Sequence, residues 1–116
     1  MVATRTYVPD RGDVVWLRFD PQAGHEQTGR RPAVVLSPRA YNRKVGLALL
    51  FPVTSQVKGY PFEVPLQLGS KLEGVILADQ IKSMDWKARR ASKMARVSQD
   101  VMQEVTARVL ALVGPG

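Results

Sequence analysis

The sequence predicts a mainly β protein, in which a curled, mostly antiparallel sheet or small barrel carries one C-terminal helix. Short apolar segments recur along the chain and are separated by turn residues, which is typical of strands. A long helical periodicity with a good start signal occurs only near the C-terminus. The chain has 116 residues and no internal linker, so we expect a single domain spanning 1–116.

Three strands are predicted in the first half of the chain. Residues 13–20 alternate apolar and polar side chains and end at a proline. Residues 32–36 and 46–53 are continuous apolar runs, as in strands buried on both faces, and Pro52 predicts an end or a bulge in the second run. The segments between them are predicted as a loose lead-in at 1–9, a polar loop at 21–30 and a short helical turn at 39–44.

Further strands and the helix are predicted in the second half. The strands are expected at 62–66, 75–78, 81–86 and 92–97, with a turn region at 67–74. Ser98 is a good N-cap for the helix, and Asp100 suits the helix dipole in its first turn. The apolar stripe of this helix consists of Val101, Val105, Val109, Leu112 and Val113.

The composition excludes several kinds of chemistry. There is no cysteine and only one histidine, His25, which argues against thiolate sites, histidine-rich metal sites and paired histidine catalysis. The acidic residues are scattered, and phosphate-loop and metalloprotease motifs are absent, so an enzyme here is expected to need no metal or organic cofactor. No segment of the sequence is long and apolar enough to span a membrane and no signal peptide is recognisable, so a cytoplasmic location is expected.

The charge predicts an anionic partner. Seventeen Lys and Arg against ten Asp and Glu give a formal charge of +7 and a pI near 10.3. Nucleic acid, an acidic protein or an anionic membrane surface would fit, and a basic but inert surface is the alternative. The run 82–96 carries six basic residues, one acid and Trp86. It is interpreted as the edge of a groove for a phosphate backbone, with Trp86 either stacking on a base or, as we favour, buried in the core or a subunit interface.

Polar residues gather at the ends of three predicted strands, where a sheet can bring them into one site on a rigid scaffold. Arginine beside a core suits bidentate binding of phosphate, because its guanidinium stays charged. The alternative is structural, with a surface ion pair at Glu26 and a turn capped by Thr54 and Ser55. Grouped by strand end, the candidates are Glu26, Gln27, Arg30 and Arg31, then Thr54, Ser55, Gln56 and Lys58, then Asp79, Gln80, Lys82 and Ser83.

An ordered series of motifs covers almost the whole chain. The motifs are GDVVW at 12–16, DP at 20–21, GHEQTGRRPAVVLS at 24–37, PVTS at 52–55, KGYPFEV at 58–64 and ADQIKS at 78–83. In this order they resemble the MazF toxins, the ribosome-independent endoribonucleases of bacterial toxin–antitoxin pairs. The family's G-x-E-Q-x-G-x-R-P signature is complete at 24–32.

The resemblance implies an SH3-like barrel of the CcdB/MazF toxin fold, assembled as a homodimer. It implies sequence-specific cleavage of single-stranded mRNA by attack of the substrate's own 2′-hydroxyl, which leaves 2′,3′-cyclic phosphate and 5′-hydroxyl ends without a metal. A cognate MazE-like antitoxin would neutralise the toxin. The family's essential arginine falls on Arg31, its threonine on Thr54 and its glutamate on Glu26. Arg30 is expected to be a supporting surface charge.

Four further residues in the matched segments are expected to bind RNA. Lys58 and Lys82 are assigned to phosphates, and Gln27 and Gln80 to base edges or backbone. Two other readings remain open. One is a CcdB-like poison of DNA gyrase, which shares the fold and cuts nothing, and the other is a non-catalytic nucleic-acid-binding barrel.

Overall fold

The computed structural model of the protein describes residues 7–18 and 29–115. In chain order its elements are β1 (Asp13–Arg18), β2 (Arg30–Val35), α1 (Arg39–Val45), β3 (Ala48–Thr54), β4 (Glu63–Leu68), β5 (Leu72–Leu77), β6 (Lys82–Met84), β7 (Ser92–Arg96) and α2 (Gln99–Val113). The predicted fold class is confirmed, since seven strands form an antiparallel sheet that carries a C-terminal helix. The short helical turn predicted at 39–44 is also confirmed as α1.

Strand β3 is the central strand of the sheet. The strand order is β4-β5-β3-β2-β1-β7, and β6 is an additional partner of β3. Along one edge, β3 pairs with β2. Along its other edge it pairs first with β6, through Ala48 to Leu50, and then with β5, through Val53 and Thr54. One strand therefore connects all three strand ends at which the candidate residues lie.

Pro52 was expected to end this strand or to form a bulge, and that expectation is wrong. The pairing Ala33↔Pro52 continues the regular register, and β3 runs on to Thr54. Leu49 accepts a hydrogen bond from Leu36 on the β2 side. Since backbone groups alternate between the two edges, the missing N–H of Pro52 points to the other edge, at the junction between β6 and β5. The proline therefore costs no ladder bond to β2.

The turn region predicted at 67–74 is also too long. Strand β4 extends to Leu68, β5 already begins at Leu72, and the two pair over their whole length from Glu63↔Leu77 to Leu68↔Leu72. Gly74 lies inside β5 and caused the error, because glycine is depleted in strands.

The sheet has an apolar cluster on each face. One cluster includes Val14, Val34 and Phe51 and packs against α2 through Val105. The other includes Leu17, Ala33 and Leu50 with Trp86. Alternate residues of β1, β2 and β3 enter opposite clusters, which explains why 32–36 and 46–53 have almost continuous apolar sequences.

Helix α2 follows its predicted start but buries less of its predicted stripe. The Ser98 side chain accepts a hydrogen bond from Val101 N–H, as an N-cap does. Val105 is fully buried, whereas Leu112 is 53 % and Val113 is 69 % exposed. Periodicity identified the correct face, but the helix extends past the sheet that covers it.

The lead-in predicted to be loose is packed where the structure describes it, at residues 7–9. Asn42 donates a hydrogen bond to the Pro9 carbonyl at 2.9 Å, and Tyr7 donates one to the carboxylate of Asp13. Burial, followed by this hydrogen bond, raises the pKa of Tyr7 far above its usual value. Asp13 is completely buried and also accepts from Arg96 at 2.9 Å. The N-terminal segment, β1 and β7 thus converge on one carboxylate.

We expect Asp13→Ala to lower the free energy of unfolding by about 3 kcal/mol, because it removes charge-assisted hydrogen bonds inside the protein. Urea denaturation measures this change. Glu73→Ala, which removes an exposed carboxylate on β5, is the control and should change stability by less than about 0.5 kcal/mol. Equal effects of the two substitutions would contradict the role given to Asp13.

Candidate functional site

The pairing of β2 with β3 brings Arg31 and Thr54 together. The β2–β3 pairing runs from Val35↔Leu50 to Ala33↔Pro52, so Arg31 and Thr54 each lie two residues beyond its last pair, on the same face of the sheet. Arg31 pairs with Leu17 of β1, and Thr54 pairs with Val75 of β5, so a neighbouring strand supports each residue. Two of the residues that the sequence singled out for chemistry therefore lie on one face at the end of the β2–β3 pairing.

A cavity of about 320 Å³ opens at this position. Arg31 and Thr54 line it together with Gln80 and Lys82, and its floor is formed by apolar residues that include Leu17. The expectation that three strand ends meet at one site is thus confirmed for these four residues. Glu26 and Gln27, with His25, lie outside the described residues.

The backbone at Thr54 is held by its neighbours. Its Oγ1 accepts a hydrogen bond from Gln56 N–H at 3.1 Å, which leaves the hydroxyl proton for another acceptor. Across the β3–β5 pair, Gly74 approaches so closely that a Cβ atom there would lie 2.3 Å from the Thr54 carbonyl oxygen. Sequence reasoning missed this residue. The available signal was a lone glycine inside a strand, which indicates close approach of another backbone.

A second, smaller cavity adjoins the first and carries Lys58. It has a volume of about 180 Å³ and shares Thr54 and Gln80 with the first cavity. The carboxylate of Glu63, which is only 9 % exposed, accepts hydrogen bonds from Lys58 N–H at 2.9 Å and Gly59 N–H at 2.7 Å. These bonds fix the backbone of the loop from which the lysine projects.

The loops on either side of this smaller cavity are joined to each other. The Tyr60 hydroxyl donates a hydrogen bond to Asp79 Oδ1 at 3.0 Å, directly beside Gln80. Desolvation and this hydrogen bond raise the pKa of Tyr60, so the phenol remains a donor at neutral pH. Lys58 and Gln80 therefore lie on loops that Tyr60 and Asp79 hold together.

Arg30 and Trp86 both have structural positions. The Arg30 guanidinium stacks over the Trp16 ring, 4.9 Å from its centroid, and Arg30 does not line the cavity that holds Arg31. Trp86 is 6 % exposed and donates a hydrogen bond to the Asn42 carbonyl at 3.0 Å. The favoured interpretation of Trp86 as a core residue is confirmed, and a base-stacking role for it is wrong.

Residues 7–18 and 29–115 contain neither a metal-binding cluster nor a membrane-spanning helix. No three His, Cys, Asp or Glu side chains of these residues are grouped so that they could hold a metal ion. Neither helix of this part of the chain is long and apolar enough to cross a membrane.

These features define a class of protein: a basic, antiparallel β fold with a polar cavity at the junction of β2, β3 and β6. The profile of the family described as "PemK-like, MazF-like toxin of type II toxin-antitoxin system" matches residues 10–113. The chain belongs to this family.

Characterised relatives and solved structures agree with this family. The chain is 53 % identical to the endoribonuclease toxin MazF of Escherichia coli K12 over 108 residues, covering 93 % of this chain and 96 % of that protein. A MazE–MazF crystal structure from Deinococcus radiodurans superposes with a TM-score of 0.87 at 55 % identity, over 95 % of this chain and 99 % of the other. A crystal structure of MazF from the same organism gives a TM-score of 0.81 at 55 % identity, over 94 % and 99 % of the two chains.

We expect Gly74→Ala to displace the end of β3, because the new methyl group would collide with backbone atoms of Thr54. The unfolding free energy should fall by about 1–3 kcal/mol, and the amide resonances of Thr54 and Ser55 should shift. Gly69→Ala is the control, since its Cβ meets nothing within 4 Å but its φ of +58° still disfavours alanine. If both variants leave the Thr54 resonances unchanged, Gly74 does not position that residue.

We expect Glu63→Gln to loosen the loop of Lys58, because an amide offers only one acceptor oxygen where the carboxylate now accepts from two N–H groups. Hydrogen exchange at the Lys58 and Gly59 amides should accelerate about tenfold. Glu73→Gln on exposed β5 is the matched control and should leave both amides unchanged. Unaltered exchange in Glu63→Gln would show that the loop is held by other contacts.

Proposed function

We propose that this protein is a sequence-specific, ribosome-independent endoribonuclease toxin that cuts single-stranded mRNA without a metal ion. The observation that carries this is that Arg31 and Thr54, on the same face of the sheet, line one cavity together with Gln80 and Lys82. Membership of the toxin family and the endoribonuclease names of its relatives support the same assignment.

The proposed reaction uses the nucleophile that RNA itself provides. The 2′-oxygen attacks the adjacent phosphorus and loses its proton, a new P–O2′ bond forms, and the P–O5′ bond breaks. The 5′-oxygen takes up a proton, so the products are a 2′,3′-cyclic phosphate and a 5′-hydroxyl. The protein has to align the 2′-oxygen with phosphorus and stabilise the charge that grows on the phosphoryl oxygens.

Arg31 and Thr54 are suited to these two tasks. The Arg31 guanidinium would hold the scissile phosphate and stabilise the pentacoordinate transition state. The Thr54 hydroxyl, whose oxygen already accepts from Gln56, would donate to a non-bridging oxygen. A guanidinium stays protonated at physiological pH and has no lone pair free to accept a proton, so Arg31 is assigned no proton abstraction.

Glu26 and Gln27 complete the proposal from sequence alone, since they lie outside the described residues. Glu26 would either take the 2′-hydroxyl proton or orient Arg31. Gln27 and Gln80 would contact base edges or backbone, while Lys58 and Lys82 would bind neighbouring phosphates.

The proposed setting is the cytoplasm, where the chain would act as a homodimer and be neutralised by a MazE-like antitoxin. Crystal structures of MazE–MazF from Deinococcus radiodurans at 50–55 % identity support the antitoxin assignment. The formal charge of +7 would attract an acidic, partly disordered antitoxin segment that covers the RNA groove. A CcdB-like gyrase poison is not favoured, because the relatives are named endoribonucleases.

We expect the purified protein to cut a long single-stranded RNA in EDTA at one short motif. Arg31→Ala and Thr54→Ala should each slow single-turnover cleavage by about 10²–10³-fold, because each removes a donor to the transition state. Arg30→Ala is the control, since the guanidinium of Arg30 stacks on Trp16. Sequencing the cut ends identifies the motif and the terminal groups.

Two results would overturn this proposal. Near-normal cleavage by Arg31→Ala would contradict the role of the guanidinium, and cutting of an RNA that carries a 2′-deoxyribose at the cleaved position would contradict the nucleophile. An intact RNA together with inhibition of DNA gyrase would instead support the CcdB-like reading. Glu26→Gln distinguishes the two roles proposed for Glu26. If Glu26 takes the 2′-hydroxyl proton, the substitution changes the pH profile of cleavage, whereas if Glu26 orients Arg31, the substitution lowers the rate at every pH.

A further inference from the structure

The loop that carries Lys58 is joined to helix α2 as well as to the sheet. This loop spans residues 55–62, between β3 and β4. Arg108 of α2 donates a hydrogen bond from Nη1 to the Pro61 carbonyl at 2.6 Å. The two residues are 47 positions apart in the sequence, so the contact depends on how α2 packs on the sheet.

The acceptor of this bond is a carbonyl group that its own turn leaves unused. Residues 60–63 form a β-turn in which Glu63 N–H donates to the Tyr60 carbonyl at 3.1 Å. Pro61 occupies the second position of the turn, which suits its fixed φ, and the carbonyl of that position takes no part in the turn's own hydrogen bond. Arg108 therefore holds the peptide group that follows Pro61, directly before β4 begins.

The guanidinium of Arg108 is oriented by a neighbour on its own helix. Its Nη2 donates to Glu104 Oε2 at 2.7 Å, one helical turn earlier. Because a guanidinium is planar and its donors have fixed directions, a bond at Nη2 also sets where Nη1 points. Val105, three residues before Arg108, is fully buried in the core, so the helix that carries this pair is itself fixed on the sheet.

The position of Arg108 has a cost in solvation. Its Nε is buried and has no hydrogen-bond partner among the residues that the structure describes. An apolar side chain would pack against the loop without leaving a donor unpaired, so this donor calls for an explanation. The hold of the same guanidinium on Pro61 supplies one.

Arg108 and Glu63 hold the loop at different points. Glu63 accepts from two N–H groups in the middle of the loop, one of them that of Lys58, whereas Arg108 fixes Pro61 at its end. Lys58 lines the smaller cavity of the site, but Arg108 lines neither of the two cavities at Thr54. Any effect of Arg108 on a ligand in these cavities would therefore pass through the loop.

We propose that Arg108 is a positioning residue, which directs Lys58 towards an RNA phosphate by holding the Pro61 carbonyl. This inference rests on the endoribonuclease function proposed above and adds α2 to the parts of the molecule that determine RNA affinity. A loop held in place before binding loses less conformational entropy when RNA binds. Arg31 and Thr54 lie on strands, so loss of Arg108 would weaken binding and leave the chemical step unchanged.

The test uses Arg108→Met, which keeps a long apolar stem and removes both hydrogen bonds, so the variant should still fold. In the free protein, hydrogen exchange at the Lys58 and Gly59 amides should accelerate about fivefold. The Kd for an RNA with the mapped motif and a 2′-deoxyribose at the cleaved position should also rise about fivefold. In cleavage of the all-ribose RNA, KM should rise while kcat stays the same. Arg108→Lys, which keeps the charge but not the planar fork, should give values between those of Arg108→Met and the parent.

Lys71→Met is the matched control, because it removes the same charge from an exposed position in the β4–β5 turn. It should change neither the exchange rates nor Kd. A second comparison uses Lys58→Gln as the background. There Arg108→Met should change Kd by less than about twofold, because the side chain that Arg108 positions is already absent.

Three outcomes would overturn the proposal. They are unchanged exchange and Kd in Arg108→Met, an equal loss of affinity in Lys71→Met, and an undiminished effect of Arg108→Met in the Lys58→Gln background. The last result would show that Arg108 does not act through Lys58. Failure of the endoribonuclease function is distinguishable from all three, because the parent protein itself would then leave the RNA uncut, while exchange in the free protein would still show whether Arg108 holds the loop.

Discussion

The pairing of β3 with three strands is the constraint on which the site depends. Its pairing with β2 keeps Arg31 and Thr54 on the same face of the sheet, and its other edge passes from β6 to β5 at Pro52. A shift of the β2–β3 register by one residue would move Arg31 to the other face of the sheet, since side chains alternate with a period of two. The same shift would move Ala33 and Val35 out of one apolar cluster and Val34 out of the other, so the packing of both clusters would be lost. The free energy of burying the core therefore also holds the geometry of the site.

The positive charge of the chain is divided between structure and surface. Arg96 and Lys93 of β7 lie 2.9 and 3.7 Å from the buried carboxylate of Asp13, where they offset the cost of desolvating it. Lys82, Arg89 and Arg90, from the same basic run, instead line a cavity of about 700 Å³ between the β6–β7 turn and β1. The composition does not distinguish between these basic residues, and only the strand pairing shows which of them face a cavity. The formal charge of +7 thus overstates the charge available for binding RNA.

Patterns with a strong period predicted the sheet and α2, and the motif series predicted which residues meet at the cavity. Three features were out of reach for physical reasons. The burial of Asp13 depends on Arg96, which is 83 residues away in sequence, as well as on the nearby Tyr7. The close approach of Gly74 to Thr54 depends on how β5 crosses beside β3. Pro52 appeared to end a strand because sequence does not reveal which strand edge lacks a partner at that position. Local propensity predicts the secondary structure of each residue in isolation, whereas these features come from contacts between residues that are distant in sequence or lie on different strands.

Under the proposed function, the site separates residues whose positions need to be fixed from residues that would recognise a substrate. Arg31 and Thr54 lie on paired strands, where small displacements are costly, and catalysis by alignment is sensitive to displacements of about 1 Å. Lys58 and Gln80 lie on loops that Glu63 and the Tyr60–Asp79 hydrogen bond connect to the sheet. Substitutions in these loops can alter contacts to bases without moving the Arg31–Thr54 pair, because the loop anchors and the strand register are independent. Under the proposed function, a change in these loops would therefore alter the RNA that is recognised while the chemistry at the phosphate stays the same.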